Sequence, residues 1–197
     1  MKSSNTKWLI AGAVVLVFIF WGISTYNNII ALDEPVSTSW ANVQTQYQRR
    51  ADLIPNLVNT VKGYAKHEQE TLEGVINARA KATQITIDPS NLTPEKIQEF
   101  QAAQDQISQA LGRLMMVQEQ YPDLKANEQF RDLQVQLEST ENRISKARED
   151  FNAKVEDYNK TVRRFPGNIF ANLFGFQTKT KFEAAQSAQT APTVSFE

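Results

Sequence analysis

Apolar positions along this chain follow two patterns. The first is an unbroken run, WLIAGAVVLVFIFWGI at positions 8–23, without a single charge. With residues 24–26 and the apolar IIAL at 29–32, it reaches the roughly 20 residues a membrane-spanning helix needs. Trp8, Trp21 and Tyr26 stand near its ends, where interfacial aromatics belong, and Val14 and Phe18 lie inside it. The second pattern is a stripe recurring every three or four residues, which marks an amphipathic helix. Trp40, Val43, Tyr47, Ile54, Leu57, Val61, Ala65, Glu68, Leu72, Val75 and Arg79 form one stripe, broken only by Glu68 and Arg79. The Ser-Thr-Ser at 37–39, just after Pro35, offers its N-cap. ITIDPSN at 85–91 reads as the first turn.

A second stripe is Ile97, Phe100, Gln104, Ile107, Leu111, Leu114, Gln118 and Tyr121, ended by Pro122. Thr93 suits its cap, Pro94 its first helical position and Glu95 the positive end of its dipole. The third runs through Phe130, Leu133, Leu137, Thr140, Ile144, Ala147, Phe151, Val155, Tyr158, Val162 and Phe165, and stops at Pro166-Gly167. No such helix buries its stripe alone. The expected fold is all-α: one N-terminal transmembrane helix, then an elongated antiparallel bundle of three long helices plus a short C-terminal helix. The expected division is a short cytoplasmic N-terminus (1–7), an anchor and juxtamembrane segment (8–32), the bundle (33–182) and a tail (183–197).

Pro55 sits inside the first stripe, where it removes a helical hydrogen bond at a cost of about 3 kcal/mol. The stripe stays in phase across it, which favours a kink over a break in which Asp52 caps a new helix. Arg50, Asp52 and Asn56 then supply the exposed hydrogen bonds. They pair with Glu141, Asn142 and Arg143 of the third helix in an interior polar network. The same choice places the C-terminal aromatics. A first helix continuing through Pro55 sends PGNIFANLFGF to the distal end, whereas a reversal there gives four alternating helices and returns it to the bilayer.

Ile169, Phe170, Leu173, Phe174, Phe176 and Phe182 crowd that segment. Asn168 is its expected cap and Gly175 its stop. The rings either close one end of the bundle or, through Ile169, Phe170, Leu173, Phe174 and Phe176, contact a partner or a bilayer. The tail ends in APTVSF, an extended stretch suited to edge pairing.

The chain has 197 residues and a formal charge of −1, which argues against nucleic acid as a partner. It has no cysteine, one histidine and seven glycines. Thiolate chemistry is excluded, and no phosphate-cradling or HExxH motif is present. His67 and Glu68 are adjacent, but catalysis or metal binding needs convergent groups. A remote reading is a hydrolase in which Glu68, Glu141 and Asp52 converge. No catalytic, metal or cofactor site is expected. Lys2 and Lys7 precede the apolar run, and Asp33 and Glu34 follow it. That bias places the N-terminus in the cytoplasm and the bundle outside it. The run is long for a signal peptide and no Ala-x-Ala site follows, so it reads as a retained anchor.

QRRADLIPNLVNTVKGYAKHE, LGRLMMVQEQYPDLKANEQF, ENRISKAREDFN, YNKTVRRFP and LFGF resemble the motif words of the LemA family, from Trp40 to Phe182. The closing APTVSF is also similar to the family's C-terminal end. The resemblance implies a single-pass membrane protein of the bacterial inner membrane with a helical-bundle domain. Some family members are encoded beside membrane proteases or TPM-domain proteins, which suggests scaffolding or membrane organisation. The expected function is therefore a non-catalytic, membrane-anchored scaffold. Its expected partners are the lipid bilayer and either a membrane protein or further copies of itself. The alternative is a self-assembling, membrane-organising or remodelling protein.

Overall fold

The computed structural model describes residues 2–183, without the side chains of residues 2–6 and 90. The expected tail and its APTVSF end lie outside the described residues, apart from Glu183. The described chain is all-helical: α1 (Lys2–Tyr64), α2 (Gln69–Thr83), α3 (Pro94–Val117), α4 (Pro122–Ala126), α5 (Glu128–Arg163) and α6 (Gly167–Phe174). A 3₁₀ turn, Pro89–Asn91, precedes α3. The three long helices are α1, α3 and α5.

The 63-residue α1 is one uninterrupted helix, about 95 Å long at 1.5 Å per residue. It joins the apolar run directly to the bundle, with Pro35 and Pro55 both inside it. No cap therefore forms at 37–39. Ser39 is buried and its hydroxyl donates back to the carbonyl of Val36 at 2.9 Å. At Pro55 the missing N–H leaves the carbonyl of Ala51, four residues back, without its helical donor. Arg79 on α2 takes that role, its Nε donating to the Ala51 oxygen at 2.8 Å. Arg50, Asp52 and Asn56 do not. The residue that broke the apolar stripe is thus the one that lets α1 pass Pro55.

The first reversal falls at 65–68, not at 85–91 as expected. Gly63 weakens the last turn of α1, and the polar Lys66, His67 and Glu68 follow. The Glu68 N–H closes the turn onto the Ala65 carbonyl at 3.2 Å. The stripe misleads here because Val61, Ala65, Leu72 and Val75 are all buried in the same core on both sides of the turn.

α2 descends along α1 and α3 rises beside α2. Thr93 caps α3 by accepting from the N–H of Lys96. Asn127, the cap of α5, accepts from the N–H of Phe130 at 2.8 Å. α5 then runs back along α1, its most extensive partner. It has 36 residues against 24 in α3, so it extends about 18 Å further. That excess carries α6 back to the apolar part of α1. Continuation through Pro55 was expected to leave this segment distal. It is proximal, because the separate return of α2 supplies the fourth alternating helix.

The core has two apolar halves. The distal half gathers Ile54, Leu57, Val61, Ile107, Leu114 and Phe130. The other half, toward the apolar end of α1, centres on Trp40, fully buried and packed against the rings of Phe100, Phe151 and Phe182. Its indole N–H donates to the carbonyl of Ile87 at 3.3 Å, which pins the α2–α3 connection.

Arg79→Met should cost about 1–3 kcal/mol, the penalty of an unsatisfied buried acceptor. In a Pro55→Ala background the residue at 55 supplies the donor itself, so most of that cost should vanish. Denaturation of the four proteins of this cycle checks it, and an equal cost in both backgrounds would show that Arg79 acts elsewhere.

Candidate functional site

Between the two apolar halves lies a polar layer. Tyr47, Arg50 and Ile54 follow one another on the inner face of α1, as do Phe100, Gln104 and Ile107 on α3. Arg50 is 1% exposed. Its two terminal nitrogens make four hydrogen bonds: to Glu141 Oε1 at 2.8 Å, Ser108 Oγ at 2.9 Å, Gln104 Oε1 at 2.7 Å and the Gln104 carbonyl at 3.1 Å. Its guanidinium carbon also lies 5.1 Å from the centroid of the Tyr47 ring. Burial raises the Tyr47 phenol above its ordinary pKa, with Arg148 and Arg50 acting against that rise.

The expected network is thus assembled differently. Arg50 and Glu141 meet. Asp52 stays exposed, accepting from Gln48 Nε2 at 2.7 Å. Asn56, Asn142 and Arg143 are exposed as well. Their places are taken by Gln104 and Ser108 of α3. Gln104 was a polar residue at a core position of its stripe, a legible signal. Ser108 gave none.

A second assembly joins the two ends of the chain. Phe170 of α6 packs on Phe18 and Trp21 of the apolar run, with ring centroids 4.9 and 6.4 Å apart. Gly22 makes room for it: a Cβ there would stand 3.0 Å from the Phe170 ring. Phe174 and Phe176 pack on Tyr26 at 5.2 and 5.6 Å. Phe170 and Phe182 are core, whereas Ile169, Leu173 and Phe174 remain exposed, so the aromatic segment both closes the bundle and presents a surface. Trp8 and Val14 are exposed along α1. Gly175 ends α6 in the left-handed region at φ 78°. Asn168 lies inside α6, and its side chain caps nothing. Phe165 is exposed, so the α5 core stripe ends at Val162.

From Phe176 the chain climbs α5 as an extended strap. Two asparagines one heptad apart clamp it. Asn159 bonds both the N–H and the carbonyl of Lys179 at 2.8 Å, and Asn152 does the same for Phe182 at 2.8 and 3.0 Å. Three extended residues and seven helical ones each span about 10 Å, so the two spacings match. The Asn-Lys-Thr at 159–161 resembles a glycosylation acceptor, but its asparagine is a strap clamp. Ion pairs fasten the strap further: Lys181 with Glu156 at 2.8 Å, and Lys179 with Asp33. Lys160 and Lys181, both hydrogen-bonded to Glu156, pull its carboxyl down to about 2. Burial, aided by the Asp33 carboxylate, pushes the Tyr158 phenol up to about 12.

The paired-carboxylate reading fails on geometry. Glu68 follows α1 and accepts from the Tyr121 hydroxyl at 3.2 Å. Glu141 is held at Arg50, fourteen residues before the end of α1, about 21 Å along the helix. His67 is exposed. Among the described residues no group of three or more His, Cys, Asp or Glu could hold a metal ion.

The sequence model of the LemA family matches residues 39–196. Two relatives, "Magnetosome protein MamQ 1" and "Magnetosome protein MamQ 2" of Paramagnetospirillum magneticum, are each 25% identical over 193 aligned residues, covering 89% of this chain and 71% of theirs. "Protein LemA" of Metamycoplasma hominis is 22% identical over 170 residues, covering 86% of this chain and 74% of its own. With the long apolar helix, these matches make the chain a membrane-associated helical protein.

Two substitutions probe these assemblies. Glu141 is 45% exposed on its side chain and Arg50 only 2%. Glu141→Ala therefore strands a buried charge and should cost about 3 kcal/mol. Arg50→Met strands a carboxylate that water still reaches and should cost less. Chemical denaturation of both variants in detergent tests this order, and the reverse order would refute the charge-burial account. Gly22→Leu should lift Phe170 off α1, and faster chymotryptic cleavage at Phe170 and Phe174 would register it.

Proposed function

The chain belongs to the LemA family, and from that membership we propose that it is a membrane-anchored scaffold of the bacterial inner membrane, without catalytic activity, that binds other membrane proteins. The apolar run is the anchor. Lys2 and Lys7 before it, against Asp33 and Glu34 after it, favour a cytoplasmic N-terminus and an extracytoplasmic bundle. The observation that carries the reading is the continuity of α1 from the apolar run to the tip of the bundle. An unbroken helix of this length fixes the height of everything packed on it. The tip, near Tyr64, stands about 60 Å beyond Ile23 along the helix. A rigid projection of this kind suits presentation of a long side face to partners embedded in the same membrane. The polar layer suits the role too, because it locks the bundle without presenting a reactive group.

A second reading is self-assembly that organises or shapes the membrane. The placement of α6 favours it, since an apolar helix is held beside the anchor on one side of the bundle.

Gentle solubilisation from native membranes, followed by the mass and composition of the complex, separates the two. The scaffold reading expects a defined complex with a second membrane protein. A large assembly of this chain alone supports self-assembly instead, and a bare monomer counts against both.

A further inference from the structure

We propose that the end of α5 together with α6 forms an insert in one leaflet, in which Arg163 and Arg164 bind the phosphodiester headgroups of anionic phospholipids. The proposal rests on the membrane placement of α1. The unbroken apolar run ends at Ile23, and Ser24, Thr25, Tyr26, Asn27 and Asn28 are the first polar stretch after it, with the first charge at Asp33. Gly167 lies beside Thr25. From there α6 dips to Phe18 and Trp21, where Phe170 packs, and returns to Tyr26 at Phe174. Phe18 is seven residues below Thr25, or about 10 Å along the helix. The hydrocarbon core is about 30 Å thick, so α6 stays within one leaflet.

The outer side of this element has the chemistry of lipid contact. Phe165, Ile169 and Leu173 recur at four-residue steps and are all exposed, at 74%, 48% and 69%. On α1, Val15, Phe18 and Ile19 are likewise exposed and apolar, and Phe18 touches α6 at Phe170. Asn168 and Asn172 fall on one flank of α6. Facing water, this patch would be costly to expose; facing acyl chains, it completes the surface of the anchor.

Arg163 and Arg164, both exposed, close α5 immediately before Phe165, within four residues of Gly167, which lies beside Thr25. Lys160 and Lys181 line the same open concavity, with Glu156 and Asn159. The acids nearby are mostly engaged. Glu156 pairs with Lys160 at 2.7 Å and with Lys181 at 2.8 Å, and Asp33 pairs with Lys179. Glu34 and Asp157 are exposed further from the boundary. Neither Arg163 nor Arg164 has an ion-pair partner among the described residues. Two free guanidiniums at headgroup height, over an apolar face at acyl depth, match the two halves of an anionic phospholipid.

The full chain in nanodiscs of equal phosphatidylcholine and phosphatidylglycerol tests this. Native mass spectrometry counts the lipids that stay bound on release. Wild type should retain phosphatidylglycerol preferentially. Arg163→Gln with Arg164→Gln should cut that preference roughly ten- to thirty-fold, while Arg113→Gln with Arg131→Gln at the distal end should leave it intact. A fluorophore on Leu173→Cys, the only thiol in the chain, should be quenched by acyl-labelled lipid and not by aqueous iodide. Equal retention in both double variants would overturn the headgroup site, and iodide quenching would overturn the insert. Displacement of the lipid by glycerol 3-phosphate would make this a site for free phosphates and overturn the lipid assignment. If the chain fails to float with vesicles, the anchor itself is wrong and both readings fall together.

Discussion

The carbonyl of Ala51 states the constraint on which this architecture rests. A helix that runs from an apolar span to the tip of a bundle has to keep its backbone groups paired, and Pro55 withdraws one donor midway. The replacement comes from Arg79 on a different helix. Because α1 contacts α2, α4, α5, α6 and the 3₁₀ turn, its unbroken passage through position 55 sets the geometry of nearly every other element. α2 thereby becomes more than a return strut, since it completes the hydrogen bonding of the helix it packs against.

The buried Arg50 layer does for register what Arg79 does for continuity. Antiparallel helices with apolar stripes can slide by a turn and still bury hydrophobic area. A slide here would set the guanidinium against Tyr47-like or Ile54-like neighbours on the facing helices and leave it unpaired, which is costly at 1% exposure. Only one register brings Gln104, Ser108 and Glu141 to it together. The layer separates the aromatic half of the core near the anchor from the aliphatic half near the tip.

The return of the C-terminal segment follows from helix lengths. α5 outruns α3, so the chain re-emerges beside the span, where Gly22 admits Phe170. The strap then climbs back along α5 on its two asparagine clamps. As a result the span, the end of α5 and the strap are one packed unit at the boundary between anchor and bundle. In the proposed anchored orientation this unit would set apolar rings at acyl depth and cations nearer the headgroups, the order of a membrane interface.

By itself, the sequence determined the elements that periodicity and caps can encode. The uncharged run, the cap at Thr93, the stripes of α3 and α5 and the stop at Gly175 are local signals, and each is read within a turn or two of chain. The family resemblance was legible for the same reason, in contiguous words. Tertiary structure decided what depends on residues far apart. An in-phase stripe cannot distinguish a continuing helix from a reversal when both sides bury in one core, so the turn at 65–68 was hidden. A proline cannot reveal whether a distant arginine will replace its hydrogen bond. Asn56, Asn142 and Arg143 had the right chemistry for an interior network, but the faces on which they lie point to solvent. Whether the C-terminal aromatics lie at the tip of the bundle or against the apolar end of α1 was a matter of summed helix lengths and packing partners, quantities that no single stretch of sequence contains.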